Sequence, residues 1–97
     1  MSNAQNTARL GNQALGSNVT AAATITPTGL VFPVSGSGAI TTINLPYTGF
    51  LGQITVLPAA GSTWTTATGG NIALGSTAVV AKALHLTWSG TAWYPSY

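Results

Sequence analysis

Acidic side chains are absent from this chain of 97 residues, and only Arg9 and Lys82 carry a side-chain charge at neutral pH. Charged residues make up 2% of the sequence, against about 25% in an ordinary soluble domain. Carboxylate pairs for glycoside hydrolysis, carboxylate sites for calcium or magnesium, and Ser-His-Asp triads all need side chains that are missing here. The composition therefore argues against an enzyme, and we expect no cofactor.

Cysteine is also absent, which excludes disulfides, thiolate nucleophiles and zinc sites built on sulfur. Two cations neutralise at most two phosphates, so nucleic-acid binding would have a salt slope of only about −2. No apolar run approaches the ~20 residues of a membrane-spanning helix, and the first twenty residues are polar where a signal peptide would be apolar. We expect neither a nucleic-acid partner nor a membrane partner.

The residues that are present predict a folded chain. Hydrophobic residues make up 45% of the sequence and the mean hydropathy is +0.37, whereas disordered segments combine low hydrophobicity with high charge. A surface with so little charge provides little repulsion between copies. We therefore expect the protein to associate with itself or with a partner.

The composition changes near residue 19. Residues 1–18 hold most of the amides, Arg9, and neither an aromatic nor a β-branched aliphatic residue. This segment is predicted to be an N-terminal arm, helical or irregular, that is ordered only when it docks on something. Residues 19–97 are rich in Thr, Ile, Val, Leu and aromatic residues, with Gly and Pro at short intervals, and are predicted to form one β-rich domain.

The alternation of apolar and polar residues predicts an all-β fold, a small antiparallel β-sandwich or barrel-like domain. The predicted strands are 19–26, 30–34, 39–45, 53–57, 63–67, 71–74, 78–81 and 84–88, and a Ser89-Gly90 turn leads into 91–94. Pro33 demotes the second strand to an edge or an irregular segment. Threonine and serine, 24 of 97 residues, occupy polar strand positions where Lys and Glu are usual. With Lys82 the only charge in the β region, sheet edges are expected to be short, closed, or paired with other chains.

His85 is the only side chain that ordinarily titrates near neutral pH. The simplest interpretation is a surface or interface imidazole. An alternative needs symmetry, because three His85 rings meeting on a trimer axis could bind one metal ion. As a catalytic base the histidine lacks a carboxylate to orient it, and no Gly-x-Ser-x-Gly nucleophile motif is present.

The aromatic residues favour packing over ligand binding. Trp88 and Trp93 flank the last predicted turn and are expected to close the core or to pack against a neighbouring subunit. The candidate oligomer interface comprises Leu84, Leu86, Trp88, Trp93 and Tyr94. Exposed Trp or Tyr could instead stack on the sugar rings of a surface glycan.

The C-terminal half, with the segments Gly-Gly-Asn-Ile-Ala-Leu-Gly-Ser-Thr-Ala-Val-Val (69–80) and Ala-Leu-His-Leu-Thr-Trp-Ser-Gly-Thr-Ala-Trp-Tyr-Pro-Ser-Tyr (83–97), resembles the small β-rich modules of tailed-bacteriophage virion proteins. These modules occur in head fibres, decoration proteins and the ends of tail fibres, and the resemblance covers roughly residues 36–97. The resemblance implies a virion structural protein and a homotrimer. Ser89 and Ser96 stand where many such modules carry an acidic residue.

The short chain favours a capsid decoration protein over a tail fibre with a long shaft. On this interpretation the arm docks on the major capsid protein through Arg9, Leu10 and Leu15, while residues 19–97 form an outward-facing trimer. The protein would be made in the host bacterial cytoplasm and would reside on the capsid exterior. The alternative is a receptor-binding tip of a tail fibre or tailspike that recognises a cell-surface glycan.

Overall fold

The computed structural model describes residues 15–97, which form ten β-strands and no helix. The strands are β1 (Val19–Thr20), β2 (Thr24–Ile25), β3 (Val31–Ser35), β4 (Ser37–Ile40), β5 (Thr42–Ile43), β6 (Gly52–Pro58), β7 (Thr63–Thr66), β8 (Ser76–Thr77), β9 (Leu84–Trp88) and β10 (Trp93–Ser96). They make a five-stranded sheet β1-β3-β6-β9-β10, a two-stranded sheet β2-β5 and a three-stranded sheet β4-β7-β8.

Residues 15–72 wind as three stacked coils, which we number coil 1 (15–25), coil 2 (31–43) and coil 3 (52–72). Each coil lays its strands in parallel on those of the preceding coil, so that β1, β3 and β6 stack in one sheet, β2 and β5 in a second, and β4 and β7 in a third. Val19 pairs with Val34 and Val31 pairs with Thr55, so each residue meets a partner that lies one coil further along the chain. The fold is therefore a short coil of stacked β-strands with a sheet on each of its three sides, which we call the β-coil.

The core lies between the three sheets, which each contribute apolar side chains that alternate with hydroxyl-bearing ones. In β6, for example, buried Ile54 and Val56 alternate with half-buried Thr55 and Leu57. The buried hydrophobic residues are Ile25, Phe32, Val34, Ile40, Ile43, Phe50, Ile54, Val56, Trp64, Ile72, Leu84, Leu86 and Trp93. This pattern accounts for the many threonines and serines, because all those in the strands except buried Thr66 occupy exposed or half-buried positions.

Two corners turn the chain from one sheet into the next. Gly36 lies between β3 and β4 with a φ of 99°, a conformation that glycine adopts without the steric cost of a Cβ. Thr41 separates β4 from β5, and its backbone N–H and hydroxyl both donate to the carbonyl oxygen of Ala23 in coil 1, at 2.9 and 3.1 Å. The predicted strand 39–45 is consequently two strands that belong to different sheets.

Pro33 lies in the middle of β3, which is an internal strand and not the edge that the sequence predicted. On one side of β3, Ala21 N–H donates to the Ser35 oxygen of β3, and on the other side Ala59 N–H donates to the Val34 oxygen. Backbone groups alternate in direction along a strand, so the missing N–H of Pro33 faces β1 and not β6. The proline therefore removes a backbone hydrogen bond only from the pairing of β3 with β1, the short edge strand.

The all-β prediction is confirmed, but the antiparallel prediction is wrong for four of the seven strand pairs. Only β6/β9, β9/β10 and β7/β8 are antiparallel. The predicted strand 19–26 is divided into β1 and β2, and residues 71–74 contribute a single bridge at Ile72. Residues 78–81 form no strand, because a turn at Val80 and Ala81 follows β8.

The C-terminal hairpin is confirmed, with a longer connection than expected. Trp93 pairs with Trp88, so four residues, 89–92, join the strands. The Ser89 hydroxyl accepts a hydrogen bond from Ala92 N–H at 3.1 Å, and Ser89 N–H donates to the Ala92 oxygen at 2.9 Å. These bonds satisfy the backbone of the wider turn.

The hairpin closes one end of the β-coil. Strand β10 bridges in parallel to Ile72 of coil 3, Trp93 N–H donates to the Asn71 oxygen at 2.8 Å, and Ala73 N–H donates to the Trp93 oxygen at 2.9 Å. The five-stranded sheet thereby curls over to meet the last turn of coil 3. At the other end, coil 1 is the outermost coil in the described part of the chain.

Coil 1 begins within the predicted arm. Leu15 forms a parallel bridge with Val31, and Gly16 N–H donates to the Val31 oxygen at 2.8 Å. Residues 15–18 thus contact the β-domain, while the rest of the predicted arm lies outside the described residues. No helix of sufficient length and apolarity to cross a membrane occurs within residues 15–97.

Candidate interaction surfaces

The structure divides the five predicted interface residues between the core and the surface. Leu84, Leu86 and Trp93 each have 0% of their surface exposed. Side chains buried within the protomer have no surface to present to a second subunit, so these three lie in the core, which is the alternative position given above for Trp93. Trp88 is half-buried and Tyr94 is 56% exposed, so these two remain available for an interface.

Trp93 joins the C-terminal hairpin, which we call the cap, to the three coils. Its indole N–H donates to the Ile43 oxygen at 2.9 Å, and its ring lies 5.1 Å from the ring of Trp88 and 6.0 Å from that of Phe50, measured between centroids. Phe50 in turn makes an edge contact with Tyr47 at 5.4 Å. A chain of aromatic rings therefore runs from the buried centre of the cap to the surface.

This chain ends in an exposed apolar surface, which we call the aromatic end and define as Tyr47, Leu51 and Trp88. Tyr47 is 62% exposed and Leu51 is 72% exposed, while Trp88 is half-buried and pairs across the sheet with Gly52, the residue that follows Leu51. Apolar side chains grouped on a surface mark sites of interaction more often than isolated ones do. The sequence indicated Trp88 but not Tyr47 or Leu51, since a turn-rich loop gives no periodicity from which exposure can be inferred.

His85 lies on the outer face of the five-stranded sheet, between Thr55 on β6 and Ser96 on β10. Its Nδ1 is 3.2 Å from the Thr55 hydroxyl, and the side chain is half-buried. No group of three or more His, Cys, Asp or Glu side chains that could hold a metal occurs within residues 15–97. A metal site at His85 would require other subunits and stays a prediction.

Lys82 is the only Lys, Arg, Asp or Glu in the part of the chain that the structure describes. It lies on the rim of a cavity of about 310 Å³ lined by Leu57, Pro58, Ala81, Lys82 and Ala83. Its ammonium group is 4.9 Å from the centroid of the Tyr97 ring, a cation–π contact. No pattern in the sequence indicated this cavity, because its lining residues come from the end of β6 and from a turn that precedes β9.

Comparisons with protein-family models, curated proteins and solved structures found no match to this chain.

The predicted docking residues are only partly within the described region. Arg9 and Leu10 lie outside it, whereas Leu15 is 64% exposed at the edge of the five-stranded sheet. Leu15 is therefore tied to β3 by its backbone and presents its side chain to solvent.

Proposed function

We propose that this protein is a structural subunit of a tailed-bacteriophage virion, a capsid decoration protein that binds the major capsid lattice through its N-terminal segment. In this proposal the β-coil faces outward and associates with sister copies as a trimer on the capsid exterior, after synthesis in the cytoplasm of the bacterial host.

The observation that carries the proposal is the character of the surface. Large hydrophobic side chains are exposed at Leu15, Tyr47, Leu51, Leu74, Val79, Val80, Tyr94 and Tyr97. Within residues 15–97 a single formal charge, that of Lys82, accompanies them. A surface of this kind favours association over solubility as a free monomer.

The interior of the domain supports a structural role as well. Every buried side-chain nitrogen and oxygen in the described residues has a hydrogen-bond partner. Buried Ser62 and Trp64, for example, both donate to the Val34 oxygen, at 3.0 and 3.1 Å. Polar groups that serve the fold are satisfied in this way.

Co-sedimentation with capsids tests the proposal. Capsids of the virus that encodes the protein, stripped of it, are expected to pellet the full-length chain. A variant lacking residues 1–14 keeps the pairing of Leu15 and Gly16 with Val31, and is expected to stay folded and to remain in the supernatant. Arg9→Ala in the full-length chain separates the contribution of the charge from that of the segment. Equal pelleting with and without residues 1–14 would disprove docking through this segment.

A second candidate function, glycan recognition by a fibre tip, is favoured by the aromatic end. Of the three tryptophans, Trp64 and Trp93 are buried and unavailable, so the rings that a sugar could stack on at the aromatic end are those of Trp88 and Tyr47. Tyr47→Ala separates the two functions, since it should abolish binding to host cells if the aromatic end is a glycan site and leave capsid co-sedimentation unchanged.

A further inference from the structure

The cavity beside Lys82 combines one cation with walls that are otherwise apolar. Leu57 and Pro58 form one side, and Ala81 and Ala83 form the other. We propose that this cavity is the docking site for an acidic side chain, Asp or Glu, of a different protein. The carboxylate pairs with the Lys82 ammonium and its methylene stem lies against the apolar wall.

The ammonium is held in place for such a contact. The Tyr97 ring lies beneath it at 4.9 Å, and the Tyr97 hydroxyl donates to the Thr77 oxygen, which fixes the ring. The backbone of Lys82 is also anchored, because its N–H donates to the Val79 oxygen at 3.0 Å. A lysine whose position is restrained in advance loses less conformational entropy when it binds a ligand.

The backbone at the rim is strained. Ala81 has a φ of 68°, and it is the only residue other than glycine with a positive φ in the described part of the chain. This left-handed conformation is unfavourable for a residue with a Cβ, and strain of this kind concentrates at ligand sites and clamps. Glycine would be the ordinary residue at the position of Ala81. The strained turn there places Lys82 among the residues that line the cavity.

An acidic side chain in this cavity cannot come from a sister copy of this chain. The sequence contains no Asp and no Glu, so a second subunit has no acidic side chain to offer. A trimer can bury other faces of the protein, but the side-chain carboxylate at this cavity must come from a different protein.

The lining also distinguishes a peptide from a sugar. Among the five lining residues, only Lys82 has a polar side chain. A sugar bound there would lose hydrogen bonds from its hydroxyls to water without gaining replacements. An acidic side chain on an apolar stem needs only the one cation, which is present.

The proposal goes beyond the proposed function and rests on it only for the identity of the partner, which would be the capsid protein. The test therefore uses peptides and no capsid. Full-length ¹⁵N-labelled protein is titrated with acetyl-Ala-Leu-Glu-Leu-Ala-amide, and with the same peptide carrying Gln in place of Glu. Amide shifts in NMR spectra map the site and give the two dissociation constants.

We expect the Glu peptide to shift the amides of residues 81–83 and to bind about two- to fivefold more tightly than the Gln peptide, as for a solvent-accessible ion pair. The difference should shrink as salt is raised. Lys82→Gln should bring both peptides to the same affinity, and Lys82→Arg, which keeps the charge, should retain the preference. Lys82 is exposed, so neither substitution should affect folding.

Equal affinity of the Glu and Gln peptides for the native protein would overturn the proposal, as would shifts confined to residues away from the cavity. A parallel titration with glucuronate and glucose covers the sugar alternative, and tighter binding of glucuronate than of the Glu peptide would also overturn it. Any of these outcomes leaves the co-sedimentation experiment intact, so failure of the cavity and failure of capsid binding are distinguishable.

Discussion

Trp93→Ala is expected to destabilise the domain by about 3–5 kcal/mol, the range for truncating a buried aromatic side chain. The Trp93 ring has no exposed surface and contacts the rings of Trp88 and Phe50. Its indole also donates a hydrogen bond to the Ile43 oxygen. Removal of the ring opens a cavity between the C-terminal hairpin and the coils. The free energy of unfolding of a small domain is only about 5–15 kcal/mol. Because each 1 kcal/mol lost lowers the melting temperature by about 4–8 °C at this size, the melting temperature should fall by at least roughly 12 °C.

Two control variants separate packing from other effects. Trp93→Phe keeps an aromatic ring but loses the bond to Ile43, and is expected to cost less than the alanine variant. Tyr94→Ala alters the adjacent residue, which is 56% exposed, and should change the stability by less than about 1 kcal/mol. Thermal unfolding followed by tryptophan fluorescence and circular dichroism provides the measurement. If Trp93→Ala left the melting temperature unchanged and lowered the oligomer mass, Trp93 would be an interface residue after all.

Asn71→Ala is expected to cost about 2–4 kcal/mol, which is unusual for a loop asparagine. The Asn71 side chain accepts a hydrogen bond from Ile43 N–H at 2.9 Å and donates one to the Ile43 oxygen at 2.7 Å. It therefore supplies to β5 both of the bonds that a neighbouring strand would supply. Without the amide, the N–H of Ile43 is left unpaired beside the core, while the oxygen keeps the indole of Trp93.

The local backbone is shaped for this contact. A Cβ added to Gly70 would lie 2.2 Å from the Thr41 oxygen, so only glycine allows the approach that brings Asn71 to Ile43. Asn44→Ala is the matched control, because Asn44 also bonds across coils, to the Thr26 hydroxyl at 2.8 Å, but at an exposed position. It should cost less than about 1 kcal/mol.

Urea unfolding measures both asparagine variants. Because Asn71 and Trp93 bond to the same oxygen, Asn71→Ala and Trp93→Phe should be non-additive when combined. A loss below about 1 kcal/mol for Asn71→Ala would show that water satisfies Ile43 and that the side chain is not a structural element of the sheet.

The sequence predicted the elements whose signals are local. The alternation of Leu84, Leu86 and Trp88 is enough to place β9 and its inward face, and β6 and β7 were placed within one residue of their observed bounds by the same reasoning. Parallel pairing has no such local signal, because Val31 meets Thr55 only after the chain has passed through two other sheets. The antiparallel prediction failed for this reason.

The surfaces were harder to predict than the strands. Asn71, between glycines and short apolar residues, has the pattern of a turn residue, and its role depends on Ile43, which is 28 positions earlier in the chain. The Lys82 cavity depends on the end of β6, and on Tyr97, whose ring is brought to Lys82 by the β9–β10 pairing. Alternation showed that Leu84 and Leu86 share a face of the strand. Whether that face packs in the core or at an interface could be decided only from the positions of the other sheets.

The near absence of charge is explained by the fold only in part. Threonine and serine cover the outer positions of the strands, which accounts for the solvation of the sheets without lysine and glutamate. Coil 1, the outermost coil in the described residues, has no Lys, Pro or bulge in β1 or β2 to discourage pairing with another strand. A protein that functions within an assembly has less need of that protection than a free monomer does.

The central claim is that this protein is a component of a virion, and quantitative mass spectrometry of purified particles tests it most directly. Virions of the phage that, on the proposed function, encodes the chain are purified by density gradient, and the copy number of the protein is measured against that of the major capsid protein. The account predicts that the protein is retained in the particles at a copy number comparable to that of the capsid protein, as expected for a subunit that decorates the lattice. Its absence from purified virions, with the protein recovered only from the lysate of infected cells, would contradict the account.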